Sequence, residues 1–119
     1  MVEDSKPTMD EVYQSGLKQA LANGVDVDKL TELRRHIHQN AEGGFKEIMT
    51  SKLVRETLES FGLVKHAIKS TSTTGLIVDV KGTAAPAEGE EEKMYAFRAD
   101  MDALPAPENN PELPYKSQT

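Results

Sequence analysis

The sequence predicts an α/β fold of about three helices followed by three strands. Apolar residues recur at helical spacing through the first half of the chain, and β-branched or alternating patterns replace them after Gly62. With 119 residues the chain fits one small domain, and a hydrophobic fraction of 37% without Trp predicts a small core. Because so few strands make a poor sheet by themselves, the predicted sheet is incomplete.

The amino-terminal part of the chain predicts two helices. A polar leader and a short helix occupy residues 1–25, and this helix stops at Asn23-Gly24. Asp26 can then cap a second helix, whose apolar side begins at Val27. We expect that helix to end between Gln39 and Glu42. Residues 26–119 form the second predicted segment, which carries the candidate site.

A third helix and two strands are predicted in the middle of the chain. An apolar stripe from Phe45 to Phe61 indicates the helix, and Gly62 stands at the usual position after a helix end. Leu63–Lys69 is a plausible strand, and the β-branched run Leu76–Val80 is typical of a mostly buried one. A turn over residues 70–74 joins them.

The last third of the chain predicts two irregular segments with a strand between them. Residues 83–93 carry four Glu and predict a solvated acidic loop. Met94–Met101 alternates in the manner of a strand, and we expect it to present polar residues at its carboxyl end. Residues 104–119 hold four prolines, which exclude a regular helix and predict an extended tail.

Charge and composition exclude several kinds of partner. The net charge of −6 argues against nucleic acid and anionic membrane surfaces, because both require clustered Lys and Arg. No apolar stretch approaches the ~20 residues of a membrane span, and the acidic start lacks the features of a signal peptide. Without Cys there is no disulfide or thiolate site. We therefore expect a cytoplasmic protein.

The candidate site is the octapeptide Arg98 to Pro105. Asp100 and Asp102 lie two residues apart, so on an extended strand both carboxylates would project from one face, where they could ligate a metal or orient a ligand. Carboxylates at the end of a strand also match the place where open α/β sheets bind ligands. The alternative is structural: Arg98 pairs with an acid, and both Asp residues cap a turn.

The three histidines do not predict a metal site. His36 and His38 are two residues apart, so on a helix they point ~200° apart around the axis and cannot share an ion. We expect His38 to be a hydrogen-bonded residue at the helix end, favoured by the helix dipole and by nearby Glu42. His66 is expected on the surface.

The run of acidic residues from Glu88 to Glu92 does not predict a cation site either. We interpret it as a solvated loop.

Several of these segments resemble, in order, the amidohydrolases of the aminoacylase and carboxypeptidase metallopeptidase family. Arg34 to Glu47 is similar to a family motif, with Ala41 where Pro is usual and Gly43 where Leu is common. Residues 74–82 resemble its first core strand, and Arg98-Ala99-Asp100-Met101-Asp102-Ala103-Leu104-Pro105 resembles its signature. The branch it resembles includes N-acyl-amino-acid deacylases, hippurate hydrolases and auxin-conjugate (IAA-amino acid) hydrolases.

The resemblance implies the amino-terminal part of a metallopeptidase-type α/β catalytic domain. Family members use two divalent ions, Zn or Mn, to activate water, and a Glu takes its proton as an amide is cleaved. In relatives of the broader family, the Asp that corresponds to Asp102 orients a metal-binding His. Asp100 stands at the position of that His, and the resemblance implies a supporting role for it. The metal-binding segment and the lid that pairs subunits into a homodimer follow later in the family, so we expect neither metal nor cofactor ligands in this chain.

Two functional hypotheses remain open from the sequence. The first is a fragment of a metal-dependent amidohydrolase that cleaves N-acyl or conjugated amino acids and is inactive alone. The second is a self-contained, non-catalytic binding or regulatory module on the same scaffold. A longer reading frame that continues into the family's metal-binding segment would support the first hypothesis.

Overall fold

The computed structural model describes residues 5–63 and 67–119. Within them are three α-helices and a hairpin of two antiparallel strands, which confirm the α/β class with an incomplete sheet. The elements are α1 (Met9–Ala22), α2 (Val27–Gln39), α3 (Ile48–Ser60), β1 (Ile68–Thr71) and β2 (Gly75–Val78). The chain divides into two compact units, one ending at His36 and the other spanning Ile37–Thr119.

The first unit consists of α1 and most of α2. α1 begins before the predicted apolar pattern, because Thr8 and Glu11 form a capping box in which each side chain accepts a hydrogen bond from the other residue's amide, at 2.8 and 3.2 Å. The Asp26 cap is confirmed, since its Oδ1 accepts a hydrogen bond from the Lys29 amide at 3.0 Å. Neither helix contains a fully buried residue.

The second unit contains the end of α2, α3 and the hairpin. α3 starts at Ile48, so the predicted start at Phe45 is wrong: Phe45 has a φ of +62°, which is incompatible with a right-handed helix, and its side chain is exposed. The predicted end is confirmed, because Phe61 is the C-cap and Gly62 follows with a φ of +87°.

The hairpin lies close to the predicted strands but is shifted. Ile68 pairs with Val78 and Thr71 with Gly75 in antiparallel register. The second strand therefore ends two residues before the predicted Val80. Of the first predicted strand, residues 64–66 fall outside the described part of the chain, and so does the expectation for His66.

The predicted third strand, Met94–Met101, does not form. A strand needs a neighbour to complete its backbone hydrogen bonds, and in the described ranges the sheet consists of β1 and β2 alone. The apolar side chains of the segment are consequently exposed, with Phe97 at 99% and Met94 at 95%. Residues 83–93, which precede it, are exposed and contain no helix or strand.

The core is small and lies between α3 and the hairpin. Among the described residues, Ile68 is the one buried apolar side chain, and the buried polar residues are Glu47, Thr50 and Thr74. The Thr74 hydroxyl donates to Glu47 Oε2 at 2.6 Å, and the Ser51 hydroxyl donates to the Thr74 carbonyl at 2.8 Å.

None of the helices in the described ranges has the length and apolarity needed to cross a bilayer.

Candidate functional site

Asp100 lies in the extended segment before the tail and is paired with Arg98. The Arg98 guanidinium lies 2.8 Å from Asp100 Oδ1, and both side chains are largely exposed. This is the pairing that the structural interpretation of Arg98 expects. Because an exposed ion pair contributes little energy, Asp100 is not held in place by it.

Asp102 lies beside the loop between α2 and α3. The amide of the next residue, Ala103, donates to the Glu42 carbonyl at 2.8 Å. Two residues further along that loop is Gly44, where an added Cβ would lie 3.7 Å from Asp102 Oδ2. The exposed Asp102 side chain therefore lies near the loop, and the backbone of the next residue is hydrogen-bonded to it.

The side chain of Glu42 completes the first turn of α3. Its Oε1 accepts hydrogen bonds from the Thr50 amide at 2.6 Å and the Thr50 hydroxyl at 2.7 Å, and its Oε2 accepts one from the Met49 amide at 3.1 Å. Burial by itself would raise the pKa of Glu42, but the hydrogen bonds from the Thr50 hydroxyl and from the Met49 and Thr50 amides outweigh it, so the pKa lies below its ordinary value of 4.5.

His38 binds the proline-rich tail rather than Glu42. Its Nε2 lies 2.8 Å from Glu108 Oε2, and the Tyr115 ring meets the imidazole edge-on at a centroid distance of 5.7 Å. The prediction that His38 is hydrogen-bonded is confirmed, but its acidic partner is Glu108 and not Glu42. Glu42 is instead directed to the amino terminus of α3, where helix amides require an acceptor.

Further backbone contacts extend this attachment. The Gln118 amide donates to the Gln39 carbonyl at 2.8 Å, and the Thr119 hydroxyl donates to the Ala41 carbonyl at 3.1 Å. We call residues 38–44, together with the residues of 102–119 that contact them, the tail junction. An open pocket of about 400 Å³ lies between the loop and the tail in this junction.

Acidification should weaken the tail junction by breaking the contact between Glu108 of the tail and His38. The hydrogen bond from His38, and after it the one from the Asn110 amide, lower the pKa of Glu108 below 4.5. A carboxyl whose folded pKa is depressed contributes stability above its unfolded pKa, and this is lost as the pH falls through the folded value. Amide signals of Asn110 and Ser117, followed by NMR, should therefore lose protection as the pH falls below about 4.5.

The control for this titration is Glu108→Gln, which removes the titrating group and keeps the size of the side chain. Its tail amides should be less protected at neutral pH and should show a much weaker acid transition. An unchanged transition in this variant would contradict the assignment to Glu108.

The described residues do not form a metal centre. No group of three or more His, Cys, Asp or Glu side chains in residues 5–63 and 67–119 comes together in a way that could hold an ion. His36 and His38 both lie in α2, where positions two apart face different directions. Asp100 and Asp102 are two carboxylates without a third donor.

The sequence analysis did not predict the hydrogen bonds by which Glu42 caps α3 and Glu108 binds His38. Local capping patterns place an acceptor at most about three residues before the amide it binds, whereas Glu42 precedes Thr50 by eight residues. Glu108 and His38 are seventy residues apart. No local pattern in the sequence reports either contact. The Thr8 and Glu11 capping box was not predicted either, although Thr8-Met9-Asp10-Glu11 carries the local Thr-x-x-Glu pattern that indicates one.

Acidic residues on an irregular segment, held beside a helix and a short hairpin, lie where binding and catalytic residues commonly occur. This chain is 40% identical over 87 residues to a hippurate hydrolase of Campylobacter jejuni, a match that covers 73% of the chain and 20% of the relative. It is 40% identical over 82 residues to an IAA-amino acid hydrolase of Arabidopsis thaliana, covering 68% of the chain and 16% of the relative.

A thermostable carboxypeptidase of Saccharolobus solfataricus is 37% identical over 92 residues, with 76% of the chain and 21% of the relative covered. The chain belongs to the amidohydrolase family of aminoacylases and carboxypeptidases that these relatives represent. It spans about a fifth of the length of the curated relatives that it matches. No protein-family model matches the chain, and no solved structure matches it.

Proposed function

We propose that this chain supplies part of the catalytic domain of a hydrolase that cleaves the amide bond of N-acyl or conjugated amino acids. The observation that carries the proposal is the similarity, over about 70% of the chain, to a hippurate hydrolase and an IAA-amino acid hydrolase. Both names describe the hydrolysis of an amino acid joined to an acyl group. The chain by itself is proposed to be inactive.

The family resemblance implies two divalent metal ions, and the described residues do not fit such a centre. Metal sites of this kind need at least three protein ligands, and no such group comes together in the described ranges. We therefore assign no metal ligand to residues 5–63 and 67–119. In the proposed enzyme these residues contribute the scaffold and supporting carboxylates.

Asp102 is the residue we assign to an orienting role. A carboxylate accepts hydrogen bonds and can hold a donor side chain from another part of the enzyme in one orientation. Its position suits this role because the Ala103 amide fixes the backbone next to it and Gly44 leaves room beside its carboxylate. Asp100, exposed and paired with Arg98, is assigned a weaker supporting role.

The test uses the 119-residue chain and a longer enzyme that contains it. We expect no hydrolysis of hippurate or of an IAA-amino acid by the chain alone, with Zn²⁺ or Mn²⁺ added, and hydrolysis of at least one of them by the longer enzyme. In that enzyme Asp102→Asn should lower kcat/KM by about 10–100-fold, as loss of an orienting partner does.

Asp79→Asn is the matched control. Asp79 is exposed and pairs with Lys69 on the hairpin at 3.0 Å, so its replacement should leave kcat/KM unchanged. Turnover by the short chain would refute its proposed inactivity. A longer enzyme that hydrolyses no acylated amino acid would overturn the proposed function, and normal activity of Asp102→Asn would overturn the assignment of that residue.

Two further properties belong to the same proposal. The longer enzyme is proposed to be a homodimer, as the resemblance implies, and to be cytoplasmic, as the sequence analysis expects. Gel filtration with light scattering of the longer enzyme tests the dimer directly.

A further inference from the structure

Glu42 makes contacts in two directions, one through its side chain and one through its backbone. Its carboxylate accepts three hydrogen bonds from Met49 and Thr50 at the start of α3, at 2.6 to 3.1 Å. Its main-chain carbonyl accepts the Ala103 amide at 2.8 Å. A single residue therefore joins α3 to the segment that carries Asp102.

The carboxylate is the acceptor that the start of α3 requires. The first amides of a helix have no partner within the helix, and a negative charge is favoured at that end by the helix dipole. Glu47 stands at the N-cap position of α3 but makes no side-chain cap hydrogen bond, since its carboxylate accepts from Thr74 on the hairpin. Glu42 takes over the capping from outside the helix.

The backbone contact lies at the candidate site itself. Ala103 directly follows Asp102, so its hydrogen bond to Glu42 restricts the position of the Asp102 backbone. On the side-chain level, an added Cβ at Gly44 would lie 3.7 Å from Asp102 Oδ2, which is ordinary van der Waals contact. The exposed Asp102 carboxylate thus lies near the loop that Glu42 anchors to α3.

We propose that Glu42 is a positioning residue for Asp102: by capping α3 with its side chain and holding Ala103 with its carbonyl, it fixes the backbone beside Asp102 and keeps the Asp102 carboxylate near Gly44. The catalytic meaning of this inference rests on the proposed function, because that proposal gives Asp102 its orienting role. The structural link between Glu42 and Asp102 can be tested without any activity.

The test is NMR of the isotopically labelled 119-residue chain with Glu42→Ala and Glu42→Gln. In Glu42→Ala the Thr50 amide loses its charge-assisted acceptor and should exchange about tenfold faster or more. The Ala103 amide keeps its acceptor, the main-chain carbonyl of residue 42, but should also exchange faster because the loop that carries this carbonyl is no longer anchored to α3. The carboxyl carbon signal of Asp102 should shift at the same time. Glu42→Gln keeps one acceptor oxygen for Thr50 and should restore part of both effects.

Glu47→Gln is the matched control, because it changes a carboxylate at the same end of α3 whose side chain accepts a hydrogen bond from Thr74 on the hairpin. It should alter the Thr74 signals and leave those of Asp102 and Ala103 in place. If Glu42 only caps the helix, the Met49 and Thr50 amides will respond in Glu42→Ala while Asp102 and Ala103 do not, and the proposal is overturned.

Should Glu42→Ala unfold the second unit, Glu42→Gln and Thr50→Val decide instead, because each removes part of the hydrogen bonding to Glu42. A correlated, smaller shift at Asp102 supports the positioning role, and an unmoved Asp102 signal overturns it. None of these signals depends on catalysis. Failure of the longer enzyme to hydrolyse acylated amino acids would therefore leave the link intact, and a missing link would leave the activity intact.

Discussion

Ile68→Ala is expected to lower the free energy of unfolding of the second unit by about 2–5 kcal/mol, the cost typical of truncating a buried aliphatic side chain. Ile68 is 4% exposed and pairs with Val78 across the hairpin. Its carbonyl also accepts a hydrogen bond from Arg55 of α3 at 3.4 Å. Because Ile68 is the one buried apolar side chain among the described residues, its truncation removes the centre of the core of this unit.

The measurement is urea unfolding followed by NMR signals of α3 and the hairpin, with Ile77→Ala as the control. Ile77 lies on the same hairpin, opposite Lys69, but its side chain is 51% exposed. Its truncation should cost about 1 kcal/mol or less, since only part of its apolar surface leaves water on folding. Equal losses for the two variants would contradict the placement of the core at Ile68.

Gly75→Ala is expected to destabilise the hairpin by about 1–3 kcal/mol through overpacking. A Cβ at this position would lie 2.6 Å from the Thr71 hydroxyl oxygen and 2.8 Å from the Thr71 carbonyl oxygen. The hydroxyl can rotate away. The carbonyl belongs to the backbone of the paired residue, so the strands must separate or slip to relieve the contact.

Gly82→Ala makes the same chemical change in a position where no atom lies within 4 Å of the added Cβ. It should leave stability unchanged or raise it slightly, because Ala reduces the freedom of the unfolded chain. Amide exchange of the β1 and β2 residues measures both variants. Unaltered protection of the hairpin in Gly75→Ala would show that the register Thr71 to Gly75 is wrong.

The helices were predictable because their signals are local. The stop at Asn23-Gly24, the Asp26 cap and the closing Gly62 all act within a few residues of the helix end. The start of α3 was not predictable in the same way. Phe45 fits the apolar periodicity, yet its positive φ places it in the preceding turn, and the cap of the helix comes from Glu42.

The candidate site was only partly predictable. Arg98, Asp100 and Asp102 were visible as a motif, and one of the two interpretations paired Arg98 with an acid, which the structure identifies as Asp100. The strand that was to carry them does not form, because alternation indicates how a segment could pair and says nothing about whether a neighbouring strand is present. The partner of His38 was missed since Glu108 is remote in sequence.

The sequence by itself determined the class of fold, the family resemblance and the choice of Asp100 and Asp102 as candidate site residues. Periodicity, caps and short motifs are properties of neighbouring residues, so they can be recognised without the tertiary structure. Only the tertiary structure decided that Glu42 joins α3 to the segment of Asp102, that His38 binds Glu108, and that Ile68 forms the buried centre. These contacts join residues that are remote in the chain, and their energies depend on distances that no local pattern contains.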